Sequence, residues 1–373
     1  MYCEERRSKD GNIMKISEIG EFGLINRISR DTIINSKNIL LGIGDDCAAY
    51  YVSPDKIALI TCDMLVENVH FTLSTCSPRQ LGKKSLAVNI SDIAAMGGIP
   101  RHALLSLGAS SDASVEFIDQ LAEGIKEEAR LFEVNVIGGD TVRSPLGLVI
   151  NITLIGEVEL DLVVKRSTAK PGDLIMVTGE LGGSAAGLTL LLEGEKYFSI
   201  PLNIAEKVKS AHLSPVPRIK EGRIIAREKI ATSMIDISDG IASDLTRICE
   251  ASAVGAKIYA SEVPIFPEVK EVGRLIKKDP LALALYGGED YELLFTVSPE
   301  KADNIIKLIK KELDTKVSII GEIRDKQEGI KIENSQGKVV DLQPKGYNHF
   351  SCLLYTSDAA DDMQCVDLGG RRI

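Results

Sequence analysis

Two adjacent aspartates, Asp45 and Asp46, stand in "LGIGDDCAAY", behind a Gly-Ile-Gly and ahead of apolar residues. Asp63 comes directly after the apolar run "IALITC", Asp92 lies in "NISDIAAMGG", Asp140 follows "VIGG", and Asp236 and Asp239 share "SMIDISDG". Each occupies the end of an apolar strand or the interior of an apolar helix, often beside glycine. One such aspartate alone is more often a cap or turn residue than a ligand. The set asks for more, because a buried carboxylate is costly unless it is paired or coordinates a metal. There is no HExxH and no Cys/His cluster, and the chain has only 4 His. Oxygen ligands alone favour Mg²⁺, Mn²⁺ or Ca²⁺. Mg²⁺ held by scattered carboxylates usually bridges substrate phosphates. The glycines of "GIG", "IGGD", "GELGGS" and "GGED" let backbone N–H groups approach phosphate oxygens. GxxxxGK[ST], GxGxxG and the protein-kinase signatures are all missing. A nucleotide would therefore be held through carboxylates and several Mg²⁺ ions rather than by a P-loop.

The elements that must position these groups follow from hydrophobic period and punctuation. Residues 57–62 read as a strand. A helix is expected from Pro78 to about Met96, stopped by Gly97-Gly98. On it Ser85, Asn89 and Asp92 are spaced i, i+4, i+7 and form one polar stripe, while Leu86, Ala87, Val88, Ile90, Ile93, Ala94 and Ala95 make the rest apolar. Such a stripe should face a polar internal site. "ASVEFIDQLAEGIKEEARLF" is an amphipathic helix, and "VNVIGG" and "GLVINITLIGEV" are strands. Further on, "TAKPGDLIMVTGELGGSAAGLTLLLEG" reads as turn, strand, Gly-rich loop and helix, and "ATSMIDISDG" as a strand entering a helix. Ser298 and Pro299 mark the start of another helix, and "VSIIGEI" and "IKIE" are closing strands. Alternating strands and helices in both halves give two mixed α/β domains. The least patterned join lies around Leu160 to Pro171. We expect a first domain over 14–160 that binds metal and nucleotide, and a second over 161–350. Residues 1–13 read as a disordered extension, with a natural start at Met14. Residues 351–373 read as a disordered or non-native tail.

In order along the chain, "GEFGLINRI", "GIGDDCA", "DMLVENVHF", "LAVNISDIAAMGG", "IGGDT", "RSTAKPGD", "IDISDG", "GGEDYEL" and "KGYNHF" closely resemble the thiamine-monophosphate kinases. These belong to the superfamily that includes aminoimidazole ribonucleotide synthetase and selenophosphate synthetase. The resemblance spans roughly Met14 to Phe350. It implies ATP-dependent phosphorylation of thiamine monophosphate to thiamine diphosphate, the last step in making that cofactor. It also implies a homodimer whose N-terminal sheets pair into a shared barrel, with a C-terminal α/β domain covering the site. By motif position, Asp46, Asp63, Asp92, Asp140, Asp236 and Asp239 would be magnesium ligands, with Thr61 and Cys62 beside them. Gly139, Asp140, Arg166 and Ser238 would contact ATP, and His70, Glu289 and Tyr347 the thiamine substrate. Asp63, Asp92, Asp140, Arg166 and Asp239 would carry the catalysis. Two positions depart from the pattern. Cys62 stands where the family usually has Ser or Thr, and a thiol suits a hard cation poorly. Asn68 replaces a common Gly. Donor and acceptor both carry phosphate, and bound cations with Arg166 would offset their repulsion. The expectation is direct in-line transfer without a general base or phospho-enzyme.

Composition sets the outer bounds. A chain of 373 residues has room for two cores. A formal net charge of −10 disfavours nucleic acid and anionic membrane as partners. No run of about 18 apolar residues signals a membrane span. The 7 Cys lack CxxC or zinc spacing and fit reduced thiols of a cytoplasmic protein. Two rivals remain open. One is a superfamily enzyme with another acceptor, although Cys3 does not fit a reactive selenophosphate-synthetase cysteine. The other is a non-catalytic nucleotide or cation sensor, which would have no need of His70, Glu289 and Tyr347.

Overall fold

In the computed structural model, the described residues are 37–193 and 199–344, with Gly23 and Ile25 ahead of them. Residues 37–346 fall in one compact unit. Its first half runs β1 (Ile39–Leu41), β2 (Ala48–Tyr51), β3 (Lys56–Val66), α1 (Pro78–Ala95), β4 (Ile99–Ala109), α2 (Val115–Leu131), β5 (Asn135–Arg143) and β6 (Val149–Glu159). These strands form one sheet in the order β1-β2-β3-β6-β4-β5, open at both edges. β3 and β6 pair antiparallel from Lys56↔Glu159 to Val66↔Val149. β3 is thus longer than "IALITC", and Asp63 lies inside it. The apolar reading stops at the first charge, but the ladder continues because β6 is long and side chains alternate between two faces. Likewise Asp140 lies inside β5 rather than after a strand.

The sheet is covered on one face. Ile150, Ile152 and Leu154 of β6 are buried against α1 and α2. On the other face Met64 and Val142 are exposed, as is Ile137 at the β5 bulge. α1 begins with a capping box in which Ser77 and Gln80 satisfy each other's backbone N–H, with Pro78 at the first position. It ends at Gly97, whose φ of +70° suits glycine and where a Cβ would meet Ala226 Cβ at 2.5 Å. Leu86, Ile90 and Ile93 are completely buried, each contributing about 1.5–3 kcal/mol. Leu86→Ala would cost about 2–5 kcal/mol.

The second half runs β7 (Leu174–Thr178), α3 (Gly183–Glu193), α4 (Leu202–Leu213), α5 (Ile219–Arg227), β8 (Ala231–Asp236), α6 (Ile241–Ser252), β9 (Gly255–Tyr259), α7 (Pro267–Ile276), α8 (Pro280–Tyr286), β10 (Leu293–Val297), α9 (Pro299–Leu313), β11 (Val317–Arg324), β12 (Ile330–Glu333) and β13 (Val339–Asp341). The strands form a second sheet, β13-β12-β9-β11-β7-β10-β8, antiparallel except for β9 with β12. Both faces are covered. Ile237, Leu245, Ile248 and Ile320 pack on one side. Met176, Met234, Phe295, Ile305 and Ile309 pack on the other, together with Ala94 and Ala95 of α1. α1 is therefore shared by both cores, which is why it is apolar nearly all round. Ser298 sits at the N-cap of α9 as expected, but its hydroxyl makes no capping hydrogen bond there.

Candidate active site

Three elements bring carboxylates to one point. Asp46 comes from the turn before β2, Asp92 from α1 and Asp236 from the end of β8, and one oxygen of each lies within 4.8 Å of the others. Every one is tethered. Thr61 Oγ1 donates to Asp92 Oδ2, and Ser91 Oγ donates to Asp236 Oδ2 at 2.6 Å. Arg166 forks onto Asp46, Nε to Oδ2 at 3.0 Å and a terminal nitrogen to Oδ1 at 2.6 Å. The Arg166 backbone N–H also donates to Asp45 at 3.2 Å. Asn89 of the polar stripe accepts the Asp63 backbone N–H at 3.1 Å, fixing β3 against α1.

Burial, then the charges of Asp63, Asp236 and Asp46, drive the Asp92 carboxyl well above the carboxylate range. Asp236 is raised by burial and by Asp46, Asp63 by burial, and Asp45 by burial and Asp46. Arg166 is the one cation paired with this group among the described residues, so several buried carboxylates share a single positive charge. An all-oxygen donor set with surplus negative charge fits a hard divalent ion, whose charge would reverse these shifts.

Asp92 and Asn89 of the expected stripe face this site, while Ser85, also buried, turns its hydroxyl back to Gly82 O at 2.8 Å. Thr61 and Asp63 share the inner face of β3. Cys62 has the opposite parity: its thiol is exposed on the outer face, accepting from Asn151 Nδ2 at 3.1 Å and Thr153 Oγ1 at 3.4 Å. Gly139 and Asp140 lie on β5, opposite Leu105 and Ser106 of β4. Asp140 accepts the Thr141 N–H at 2.8 Å and does not join the trio. At Gly139 φ is +150°, and a Cβ would strike Leu105 O at 1.7 Å, so only glycine fits. Ser238 and Asp239 follow β8; the Asp239 N–H donates to buried Asp244 at 3.1 Å. Asn68 has φ +63° in the turn before His70, a conformation asparagine tolerates better than most residues.

The "GGEDYEL" loop is strained and well anchored. Glu289 and Tyr291 have φ of +62° and +51°. The Glu289 N–H donates to Ser238 O at 2.8 Å and the Tyr291 N–H to Ile237 O at 2.9 Å. Asp290 accepts from Gly182 and Ser184 N–H at 2.7 and 3.2 Å, closing the start of α3. Glu292 is gripped by Arg218 at 2.7 Å and by Thr178 at 2.7 Å. Val66 N–H donates to His70 Nδ1 at 3.0 Å, and His70 lies near enough to act on the Glu289 charge. Tyr347 lies outside the described residues. Sequence reading missed Ser91, Lys84, His212, Asp244 and Asp290. Lys84 and Ser91 are seven apart on α1, so extending the polar stripe sideways by one residue would have found both.

Residues 44–158 match the family described as AIR synthase related protein, N-terminal domain, and residues 170–333 its C-terminal domain. The thiamine-monophosphate kinase of Bacillus subtilis (strain 168) is 41% identical over 333 residues, covering 88% of this chain and 99% of that protein. Among solved structures, "AaThiL complexed with AMPPCP and TMP" superposes with a TM-score of 0.78 at 33% identity, covering 90% of this chain and 99% of that one. The thiamine-monophosphate kinase of Stenotrophomonas maltophilia K279a gives a TM-score of 0.69 at 34% identity, covering 86% and 98%. Two mixed α/β halves, the carboxylate trio and full-length similarity agree: the chain belongs to the thiamine-monophosphate kinase family.

Proposed function

We propose that this protein transfers the γ-phosphoryl group of ATP to thiamine monophosphate, giving thiamine diphosphate and ADP. The observation that carries this reading is the convergence of buried Asp46 and Asp236 with half-buried Asp92, beside Arg166. It is supported by a relative of the same fold that holds AMPPCP and TMP together. An acceptor-phosphate oxygen forms a bond to the γ-phosphorus while the bond to the β–γ bridging oxygen breaks, and ADP leaves with that electron pair. The acceptor phosphate is already ionised, so no general base is needed and no phospho-enzyme forms. Net retention of configuration at the transferred phosphorus would count against this.

Asp46, Asp63, Asp92, Asp236 and Asp239, with Asp140 and the Thr61 and Cys62 main chain, would hold several Mg²⁺ ions. When bound, these neutralise phosphate charge and set the geometry of transfer. Arg166 is placed to exchange Asp46 for nucleotide phosphate, and Gly139, Asp140 and Ser238 would line the nucleotide. His70 and Glu289 would hold the acceptor, and Tyr347 completes the proposed set. The exposed apolar face of the first sheet, with Met64, Ile137 and Val142 outward, supports pairing with a second copy into a shared barrel. The second α/β half, 161–350, then forms the cover over 14–160. The free cysteines Cys47, Cys62, Cys76 and Cys249 fit a cytoplasmic setting, and no described helix is long and apolar enough to cross a membrane. The test is ADP release by purified protein with ATP and Mg²⁺. Stimulation by thiamine monophosphate, and not by thiamine or AMP, supports the assignment. Stimulation by another acceptor points to a sister enzyme, and no stimulated turnover points to a sensor.

A further inference from the structure

Glu289 stands on a left-handed backbone, with its side chain 26% exposed. Behind it lies a buried polar relay that no other part of the site uses. Lys84 of α1 places Nζ 3.0 Å from Glu289 Oε1, with its side chain only 7% exposed. His212 of α4 places Nδ1 3.3 Å from Glu289 Oε2 and 3.0 Å from Ser184 Oγ. His212 Nε2 lies 3.4 Å from Lys84 Nζ. The protonation pattern follows from these contacts. Burial and the neighbouring Lys84 ammonium push His212 down to about 4, so the ring is neutral near pH 7. An ammonium has no acceptor lone pair, so Lys84 must donate to Nε2, and the ring proton sits on Nδ1, facing Glu289 and Ser184. Burial works to raise the Glu289 carboxyl, yet the Lys84 charge beside it wins and the net direction is downward. With His212 neutral, the ammonium carries most of that effect, and His70 adds a smaller part.

We propose that Lys84 and His212 are positioning residues. They engage one Glu289 oxygen each, so that the remaining lone pairs of an ionised carboxylate point at an N–H donor of the acceptor. Lys84 belongs to the first half of the chain and His212 and Glu289 to the second. The acceptor subsite is therefore complete only when α1 is seated between the two sheets. This inference rests on the reading of Glu289 as an acceptor contact.

Steady-state kinetics of the full chain separate the two claims. Glu289→Gln should raise KM for thiamine monophosphate about tenfold or more while KM for ATP stays within about twofold. Lys84→Met should do nearly the same, and the Lys84→Met/Glu289→Gln double variant should be no worse than the worse single, because both remove one interaction. Lys84→Arg should recover part of the loss. Should Lys84→Met not fold, His212→Gln makes the same test, with an expected rise of about threefold in the acceptor KM alone. If Glu289→Gln leaves the acceptor KM unchanged, the acceptor reading of Glu289 fails and the positioning role goes with it. If Glu289→Gln raises it but Lys84→Met or His212→Gln raises both KM values equally, or neither, the positioning role alone is overturned.

Discussion

α1 serves two acidic regions of opposite character. At its C-terminal end Asp92 joins Asp46 and Asp236, where buried carboxylates outnumber cations and proton affinities are driven up. At its N-terminal end Lys84 meets Glu289, where one carboxylate faces one ammonium and its proton affinity is driven down. The two are eight residues apart, about 12 Å along a helix axis. The difference is one of unfinished and finished charge balance. In the first region the negative charge exceeds what Arg166 offsets, a donor set that suits a divalent cation. The second is neutral in sum before any ligand arrives, so its task is orientation. One rigid helix thereby fixes the distance between the carboxylate trio and Glu289.

The comparison breaks most sharply at the first region. Asp92→Asn should lower turnover by about three orders of magnitude. It should also raise the melting temperature without divalent ions and abolish any stabilisation by Mg²⁺, since it removes repulsion together with a proposed ligand. Thermal melts with and without Mg²⁺ check this, and a Mg²⁺ response that survives the substitution would mean that the carboxylates are structural. Arg166→Met should come next. It removes the only cation paired with Asp46 among the described residues and should cost about 3–5 kcal/mol in metal-free denaturant titrations, a deficit that added Mg²⁺ should partly restore. It should also raise KM for ATP rather than for the acceptor.

The contrast between the regions was half legible in the amino-acid sequence. Aspartates with apolar flanks announce themselves, because caps and turns do not need burial on both sides, and the stripe of Ser85, Asn89 and Asp92 gave the direction in which α1 faces. The strand-end reading of Asp63 and Asp140 did not hold, since pairing with a long neighbour carries a strand past its first charge. The compensated region was hidden for a different reason. Lys84 looks like any surface lysine beside Lys83, and His212 lies 128 residues further on. A pair made by tertiary packing leaves no period in either segment. Short elements such as β9, α5 and α8 escaped for want of length, because a few residues cannot display a repeat. The inner and outer parity of Thr61, Cys62 and Asp63 was available from the two-residue period once β3 was known to extend through them.

At the second region the effect should be a pH dependence. His212 ordinarily titrates at 6.5 and here is held to about 4. Between those values the unfolded chain takes up a proton that the folded chain refuses. Stability is therefore lost as pH falls through that window, by at most about 3.5 kcal/mol. Glu289 acts lower down: its ionised form contributes above the ordinary carboxylate value of 4.5 and is lost only as pH falls below it. His212→Gln should flatten the denaturation midpoint between about pH 6.5 and 4. Lys84→Met should alter both limbs, because the ammonium lowers His212 as well as Glu289. A single shared transition, unchanged by either substitution, would show that the relay is not coupled as the contacts indicate.

The smallest effect is expected at Cys62, and its smallness is informative. A thiol in place of a hydroxyl at a magnesium site would weaken binding of a hard cation and shift preference towards softer ions. The Cys62 thiol, however, lies on the outer face of β3 against Asn151 and Thr153, while Thr61 and Asp63 face the trio. Only the main chain of Cys62 is on the side where a ligand could serve, and that is the same for serine. Cys62→Ser should change kcat by less than about twofold and leave the ratio of Mg²⁺ to Mn²⁺ activity where it was. A gain of tenfold with Mg²⁺ would place the side chain at the metal, and the two faces of β3 would then have to exchange roles.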